Sequence, residues 1–469
     1  MYNVLKQAIL PHQKVYIVGG AVRDIIFNKK PEDIDIAVSE DPQKYGKQLA
    51  KITNGRLITI GKDQKKIIKV VSKTSSFDIS PIRGSSIKED LSLRDFTINA
   101  IALNIDNNSI IDPFLGAKDI KKKKIAPVSE TIFKKDPIRL IRAYRIAACY
   151  NFSIAESAID LIKKYKNLIT ESAAERIKHE LFKILDTPYS CRYIIQMADS
   201  GLLFSIFPEL LPLTENPTQK PLQNKKLCLD FNIFAHTMRA YHYLETILNN
   251  NFNLPINPAL KIDKKNISSL KLAILLHDIG KPEIKKINED NTPTFEGHDK
   301  KGAELAEKIC KRLKTSSKET DYIKFIIKNH LKPLYLFQKN CITPITKEAE
   351  IKFFITYSDI TPDLLIHTIA DILGKNKTAS KQDIDFVFFG IKLYNKFQNQ
   401  FLLAKSLPPL ITGNDLIKKF SLKPSPLFAK ILNAVEEARL IRKISDKAGA
   451  FKIAEKIISL NSQAANQKY

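Results

Sequence analysis

The chain has 469 residues, 44% of them hydrophobic, and 75 Lys plus Arg against 50 Asp plus Glu give a formal charge of +25. That length is too great for one core and predicts several domains in series. No uninterrupted apolar run can span a bilayer and MYNVLKQAILPHQ has no signal-peptide order, so a soluble, cytoplasmic chain without a membrane partner is expected. The charge suits a phosphate backbone, although a solvated Lys-rich surface such as Lys121 to Lys124 gives the same sum. Cys149, Cys191, Cys228, Cys310 and Cys341 are odd in number and never form Cys-x-x-Cys, which points to neither a disulfide framework nor a zinc knuckle.

In chain order, VYIVGG, DIDIAVS, RLITI, KIIKVVS and FDIS read as short strands mixed with helices over the first 130 residues. From Ile132 onward apolar residues recur every three or four positions, the period of helices. The expected fold is α+β: a mixed head over 1–130 and an all-helical remainder. TENPTQKPLQNKK (214–226) and NNNFNLPINP (249–258) are polar breaks, which divides the helical part at about 215, and SLPPLITGND (406–415) sets off a tail. The divisions are therefore 1–130, 131–214, 215–405 and 406–469. No fixed-period repeat is present, and oligomeric state leaves no signal.

The first strand ends in Gly19 and Gly20, followed by a helix start with Arg23 and Asp24. Two glycines let a phosphate approach the backbone, and a helix N-terminus with an arginine adds positive potential. A tight turn is the plainer reading of Gly-Gly alone. Asp33 and Asp35, at i and i+2 of the next strand, share a face, where two acids repel unless a cation lies between them. That arrangement suits Mg²⁺ and nucleotidyl transfer; a solvated strand face with Ile34 and Ile36 buried is the alternative. Asp78 in FDISPIRG has the strand alternation to join them, or is a surface acid beside a turn.

GGAVRD with Asp-Ile-Asp, DLSLRDFTINAIAL (Asp90 to Leu103), IIDPFLGAKDI and DPIRLIRAYRIAA follow one another over residues 15 to 185. In that order they resemble the motifs of the class II tRNA nucleotidyltransferase and bacterial poly(A) polymerase family. The resemblance implies a DNA polymerase beta type head, catalytic acids at Asp33 and Asp35 with Asp78 as a third candidate, Mg²⁺ as cofactor, ATP and CTP as substrates and the tRNA acceptor stem as partner. It implies that 131–214 is a helical neck binding nucleotide and RNA.

KKDPIRLIRAYRIAACYNF reads as a helix opened by Asp136 as N-cap and Pro137, with Asp136, Arg139, Arg142 and Arg145 every third residue along one face. A carboxylate accepts from the amino group of cytosine or adenine and repels the carbonyl of uracil or guanine, while guanidinium donors meet ring acceptors. The resemblance assigns base reading to Asp136 and Arg139; a helix cap and a solvated or RNA-contacting stripe are the alternatives. Where the family carries Glu before this Asp, Lys135 stands here, a charge reversal beside the base pocket. The resemblance implies that Arg94 meets ribose and triphosphate, that Asp95 organises the base-reading helix, and that Glu175 with Arg176 forms a buried ion pair bracing the neck.

LKLAILLHDIGKP places His277 and Asp278 at the end of an apolar helix, with His236 upstream and His298, His330 and Asp371 downstream. A lone histidine on such a helix is ordinarily a core residue. The set resembles the HD phosphohydrolase superfamily, which implies one or two divalent transition-type metals (Mn, Co or Ni) over 215–405. Asp359 rivals Asp371 as last ligand; HTIADILGK favours Asp371. The tail resembles the C-terminal module of longer family members but has Ser421, Ser425 and Ala429 where they carry glycines. The function expected is addition of CCA, or its terminal A, to tRNA. Poly(A) polymerase and an HD phosphohydrolase with an RNA-binding head are the alternatives.

Overall fold

The computed structural model describes residues 2–31, 33–60, 67–73, 75–215, 232–249, 264–290, 292–376 and 378–466. Cys228 and all but residues 214, 215 and 249 of the breaks expected at 214–226 and 249–258 lie outside them. The described residues divide into two compact units, 2–212 with Ile309–Ser316, and 213–215 with 232–308 and 317–466.

The first unit is built on a seven-stranded sheet of order β3-β4-β5-β2-β1-β6-β7. The strands are β1 (Val15–Val18), β2 (Asp33–Val38), β3 (Arg56–Ile60), β4 (Ile67–Val71), β5 (Ser76–Pro81), β6 (Ala102–Asn104) and β7 (Ile110–Ile111). Only β2 and β5 pair in parallel. β1 is buried on both faces, as a central apolar run requires, whereas β2 alternates Asp33 and Asp35 outward with Ile34 and Ile36 in the core. Turns at the strand ends launch α1 (Gly20–Ile26), α2 (Pro42–Thr53) and α3 (Ile87–Ser92). The side chains of Asp41 and Ser86 cap the latter two.

Beyond the sheet come α4 (Ile132–Lys135), α5 (Arg139–Tyr150) and α6 (Ala174–Leu185). Two expectations change here. α5 begins at Arg139, and Asp136 is not its cap: the Pro137 ring disfavours helix at the residue before it, so Asp136 ends α4 with extended backbone (φ −151°, ψ 97°). Nor is everything after 130 helical, since Ser153–Ile154 pairs with Lys124–Ile125 and Lys286–Ile287 with Pro293–Thr294. Two-residue strands are too short to impose a period of two on a sequence.

The second unit is helical around α11 (Thr361–Gly374), every residue of which is buried. A helix buried all round belongs at the centre of a bundle. The unit's other helices include α7 (Ile233–Leu248), α8 (Ile267–Leu276), α9 (His298–Arg312, in this unit as far as Lys308), α10 (Ser317–Asn329) and α12 (Lys381–Lys396). A Cβ on Gly374 would lie 2.5 Å from the Ala240 amide nitrogen, so glycine is what allows α7 and α11 to close. The tail helices α13 (Gly413–Phe420), α14 (Pro426–Leu440) and α15 (Lys447–Asn466) share a small core of Ile411, Leu416, Ile431, Val435, Ala450 and Ala454. Ser421 ends α13 at φ 51°, a left-handed position that a glycine would occupy with less strain.

Candidate active site

The register of β2 and β5 sets Asp35 opposite Asp78 and Asp33 opposite Ser76. Paired residues, and residues two apart, share a face. Asp33, Asp35 and Asp78 therefore form one acidic group, as expected for the first two and open for the third. Asp78 has its own counter-ion: Lys69, its partner on β4, places its ammonium 2.9 Å from Oδ1. Among the described residues no cation lies within ion-pair distance of Asp33 or Asp35. Loss of hydration raises the Asp35 pKa above the usual carboxylate value, and Asp78 and Asp33 add to that against the opposing charge of Arg94. An all-oxygen group of acids whose charges repel fits a hard divalent cation.

Beside the acids lies a cavity of about 800 Å³ whose lining includes Gly19, Gly20, Asp35, Arg94, Asp136, Arg139, Arg142 and Arg145. Gly19 has φ 71°, and a Cβ there would lie 2.9 Å from Asp35 Oδ2 and 3.0 Å from Arg94 Nη1. The turn is thus glycine both for its dihedral and for the approach of acid and arginine. Arg23 also borders the cavity, but it is buried and donates to Asn99 Oδ1 (2.6 Å) and the Tyr150 hydroxyl. It braces the turn, and its donors are not free to the degree the sequence suggested.

Arg94 donates through Nε and Nη2 to Asp90 Oδ2 (3.1 and 3.0 Å), and Arg83 Nε donates to Asp90 Oδ1 at 2.7 Å. Asp95 accepts from Arg142 Nε at 2.6 Å, Asn99 Nδ2 at 3.0 Å and the Phe96 amide at 2.8 Å. Burial by itself would raise its pKa; the Arg142 charge and these bonds overcome that and hold it below the usual range. Asp95 thus anchors Arg142 of α5. Arg139 donates to the carbonyls of Leu93 (2.9 Å) and Arg94 (3.4 Å), and Arg145 to Glu180 at 2.8 Å.

Asp136 meets Arg176, whose Nη1 and Nη2 donate to Oδ1 and Oδ2 at 3.1 and 2.9 Å. The buried Glu175–Arg176 pair expected in the neck does not form. Both residues are adjacent on a helix and so diverge; Glu175 is exposed and pairs with Lys314 at 2.6 Å. Lys135 is exposed and does not line the cavity, so the charge reversal falls on the surface. Asp90, Arg83, Asn99 and Glu180 went unnoticed as site residues. The i, i+4 spacing of Asp90 and Arg94 was a signal for the first of them.

In the second unit, His236, His277 and Asp371 bring ligand atoms within 4.8 Å of one another, and so do Asp278, His298 and His330. Nδ1 of His277, His298 and His330 faces the carbonyls of Ile274, Phe295 and Ile327 at 2.8, 2.8 and 2.6 Å, which turns each Nε2 toward the centre. Burial lowers the His277 pKa, but Asp278 and Asp371 override this and push it up to about 10. Asp278 Oδ1 is buried without a hydrogen-bond partner. A site that draws positive charge and leaves a carboxylate oxygen unmet fits one or two divalent metals with imidazole and carboxylate ligands. Asp359 is excluded as a ligand: it is 83% exposed and pairs with Lys405. The sequence reading passed over His367, fully buried one turn before Asp371, with neither ring nitrogen hydrogen-bonded.

Residues 15–126 match the poly A polymerase head domain, 151–213 a probable RNA and SrmB-binding site of polymerase A, and 233–373 the HD domain. The chain is 27% identical over 439 residues to an A-adding tRNA nucleotidyltransferase of Deinococcus radiodurans, covering 91% of this chain and 92% of that protein. It is 26% identical to a CC-adding tRNA nucleotidyltransferase of Synechocystis sp., covering 96% and 95%. A CCA-adding enzyme in an apo form superposes with a TM-score of 0.64 at 20% identity, covering 98% of this chain and 93% of the other. The Thermotoga maritima CCA-adding enzyme complexed with tRNA superposes at 0.60 and 20% identity, covering 97% of each. CC addition was not among the outcomes the sequence reading considered. Among the described residues no helix is long and apolar enough to cross a membrane, and Cys149 and Cys341 are exposed free thiols.

Proposed function

We propose, from its similarity to the tRNA nucleotidyltransferase and poly(A) polymerase family, that this chain adds nucleotides from CTP or ATP to the 3′ end of tRNA without a template. The observation that carries the reading is the acidic strand face of Asp33 and Asp35, of which Asp35 lines an arginine-rich cavity that also contains Asp136. The 3′-hydroxyl attacks the α-phosphate in line, the new P–O bond forms as the bond to pyrophosphate breaks, and pyrophosphate leaves. Asp33 and Asp35 would hold Mg²⁺, which when bound lowers the pKa of the hydroxyl and neutralises charge on the leaving group. Arg94 and the α5 arginines supply fixed positive charge to the triphosphate. Asp136 accepts from the amino group of cytosine or adenine beside Arg139. Basic helical surface grips the acceptor stem by phosphates and shape.

Which of CCA, CC or A is added is decided by offering tRNAs ending in no C, one C or two C with each nucleotide separately. Addition restricted to tRNA ends, with CTP or ATP alone accepted, is the expected result. Long A tails on unrelated RNA would replace the tRNA assignment by poly(A) polymerase. A second reading rests on the six converging donors of the second unit, where His236, His277, Asp278, His298, His330 and Asp371 would hold Mn, Co or Ni. Such a centre supplies a metal-activated water for phosphoester hydrolysis. A 3′-phosphate or 2′,3′-cyclic phosphate blocks the hydroxyl that the head uses, so hydrolysis of 2′,3′-cyclic AMP and p-nitrophenyl phosphate across these metals is the test. No hydrolysis of either, with no metal bound, would leave the unit a scaffold.

A further inference from the structure

We infer that Arg176 is a positioning residue for nucleotide choice: it orients the Asp136 carboxylate that reads the incoming base. The inference rests on the base-reading role proposed for Asp136 and adds a residue that this role requires. Asp136 is poorly placed to hold its own side chain. It follows the four-residue helix α4, its backbone is extended, and its side chain does not cap α5, whose N-cap is Ile138. The two bonds from Arg176, one to each oxygen, are the side-chain hydrogen bonds that fix its plane. A planar fork meeting a planar carboxylate sets orientation as well as distance, which a lysine cannot do.

The arrangement is part of a longer match between two helices. α6 carries Arg176 and, one turn on, Glu180, at the i, i+4 spacing that puts both on one face. Glu180 meets Arg145 at 2.8 Å and Arg142 at 3.5 Å, while Arg176 meets Asp136 just ahead of Arg139. The base-reading row on one side is thus held at both ends from the other. Arg176, His179 and Glu180 all line the cavity, so this face of α6 is available to the nucleotide. An ionised carboxylate has about four lone-pair sites, and the fork uses two. The remainder can accept an exocyclic amino group while Arg176 stays bound. With Arg176 removed, the carboxylate rotates in a wide cavity and presents itself to a base only part of the time.

Stability and selectivity separate here. The pair is partly exposed, 54% for the arginine side chain and 33% for the aspartate, so it adds little to folding. Correctly aimed base contacts, by contrast, discriminate by about ten-fold or more.

The experiment uses the full chain and tRNA acceptors, with steady-state kinetics for ATP, CTP, UTP and GTP in Arg176→Met, Arg176→Lys, Asp136→Ala and the Asp136→Ala/Arg176→Met double variant. Arg176→Met is expected to raise KM for the accepted nucleotide more than it lowers kcat. It should cut the kcat/KM preference over UTP and GTP about ten-fold, with tRNA affinity and melting temperature near wild type. Arg176→Lys should recover part of the preference. The double variant should behave like Asp136→Ala alone, because one residue acts through the other. Wild-type preference in Arg176→Met beside a loss in Asp136→Ala would overturn the inference and leave the reading of Asp136 standing. No loss in Asp136→Ala would overturn both. Additive losses in the double variant, or weaker tRNA binding with unchanged nucleotide KM, would make Arg176 an independent contact and overturn the inference as well.

Discussion

Replacing Asp95 by asparagine tests the organisation of the arginine helix with one changed atom. Oδ1 accepts from Asn99 and the Phe96 amide, and an asparagine oxygen can do the same. Oδ2 accepts from Arg142 Nε at 2.6 Å, and an amide NH₂ there would set donor against donor. Losing a hydrogen bond to a charged group costs about 1.5–3 kcal/mol. Removing one partner of a fully buried pair costs about 3–5 kcal/mol. Arg142 is 39% exposed and keeps Glu180 at 3.5 Å, which places the loss toward the lower range, about 2 kcal/mol. At about 2–4 °C per kcal/mol for a unit of this size, the melting temperature falls by about 4–8 °C. The pH dependence follows from the depressed pKa. Asp95 contributes fully above its unfolded pKa, and the contribution is lost as pH falls through the lower folded value, so the gap between wild type and variant is flat from about pH 5 to 8 and narrows below about pH 4. Calorimetry across that range is the measurement. A gap below about 0.5 kcal/mol at neutral pH, the size of an ordinary surface change, or one that widens in acid, would refute the argument.

Asp33→Ala or Asp35→Ala should abolish nucleotide addition, a loss of several kcal/mol of transition-state stabilisation, with tRNA affinity in a filter-binding assay nearly intact. Gly19→Ala should cost about 1–2 kcal/mol of stability for the left-handed dihedral and more than ten-fold in turnover, since its Cβ would displace Asp35 or Arg94; wild-type kinetics would show that the turn yields. Asp371→Ala should remove metal from the second unit by elemental analysis while Asp359→Ala retains it, and equal metal content in the two would dismiss the proposed ligand set. His277→Ala combined with Asp278→Ala should eliminate any phosphodiesterase activity and spare nucleotide addition, and a parallel loss of both would contradict two separate centres.

What the sequence disclosed, and what it withheld, follows from the range of the forces involved. Alternation in DIDIAV and β-branched runs are local, so the five first strands and the shared face of Asp33 and Asp35 were legible. The place of Asp78 was open because it depends on which strand pairs with which, and parallel register across more than forty residues leaves no local trace. β6 and β7, three and two residues long, fall below any pattern. Asp136 looked like a helix cap because Asp-Pro before an apolar-periodic run has that signature; the partner that claims it, Arg176, lies forty residues away. The histidines of the second unit came as a set because imidazoles are rare, eight in this chain. His367 escaped because its spacing to Asp371 also suits a core residue of a buried helix.

The cavity's electrostatics are those of shared counter-ions. Seven arginines line it against five carboxylates, Asp35, Asp95, Asp136, Glu175 and Glu180. Arg83 and Arg94 divide one acid, Asp90, between them, and Arg142 and Arg145 divide Glu180. A guanidinium held by half a carboxylate is fixed in direction yet keeps much of its field, because its remaining N–H groups point elsewhere. One acid per arginine would cancel the field; no acid would leave long side chains free to move and cost their ordering when a nucleotide arrives. Sharing gives positive charge that is already aligned for phosphate oxygens, the condition for electrostatic preorganisation. Asp136 and Arg176 are instead matched one to one, with no second ion pair to either among the described residues. Asp136 is also the acid proposed to meet a neutral base instead of a phosphate, where a net field has no use and a fixed orientation does.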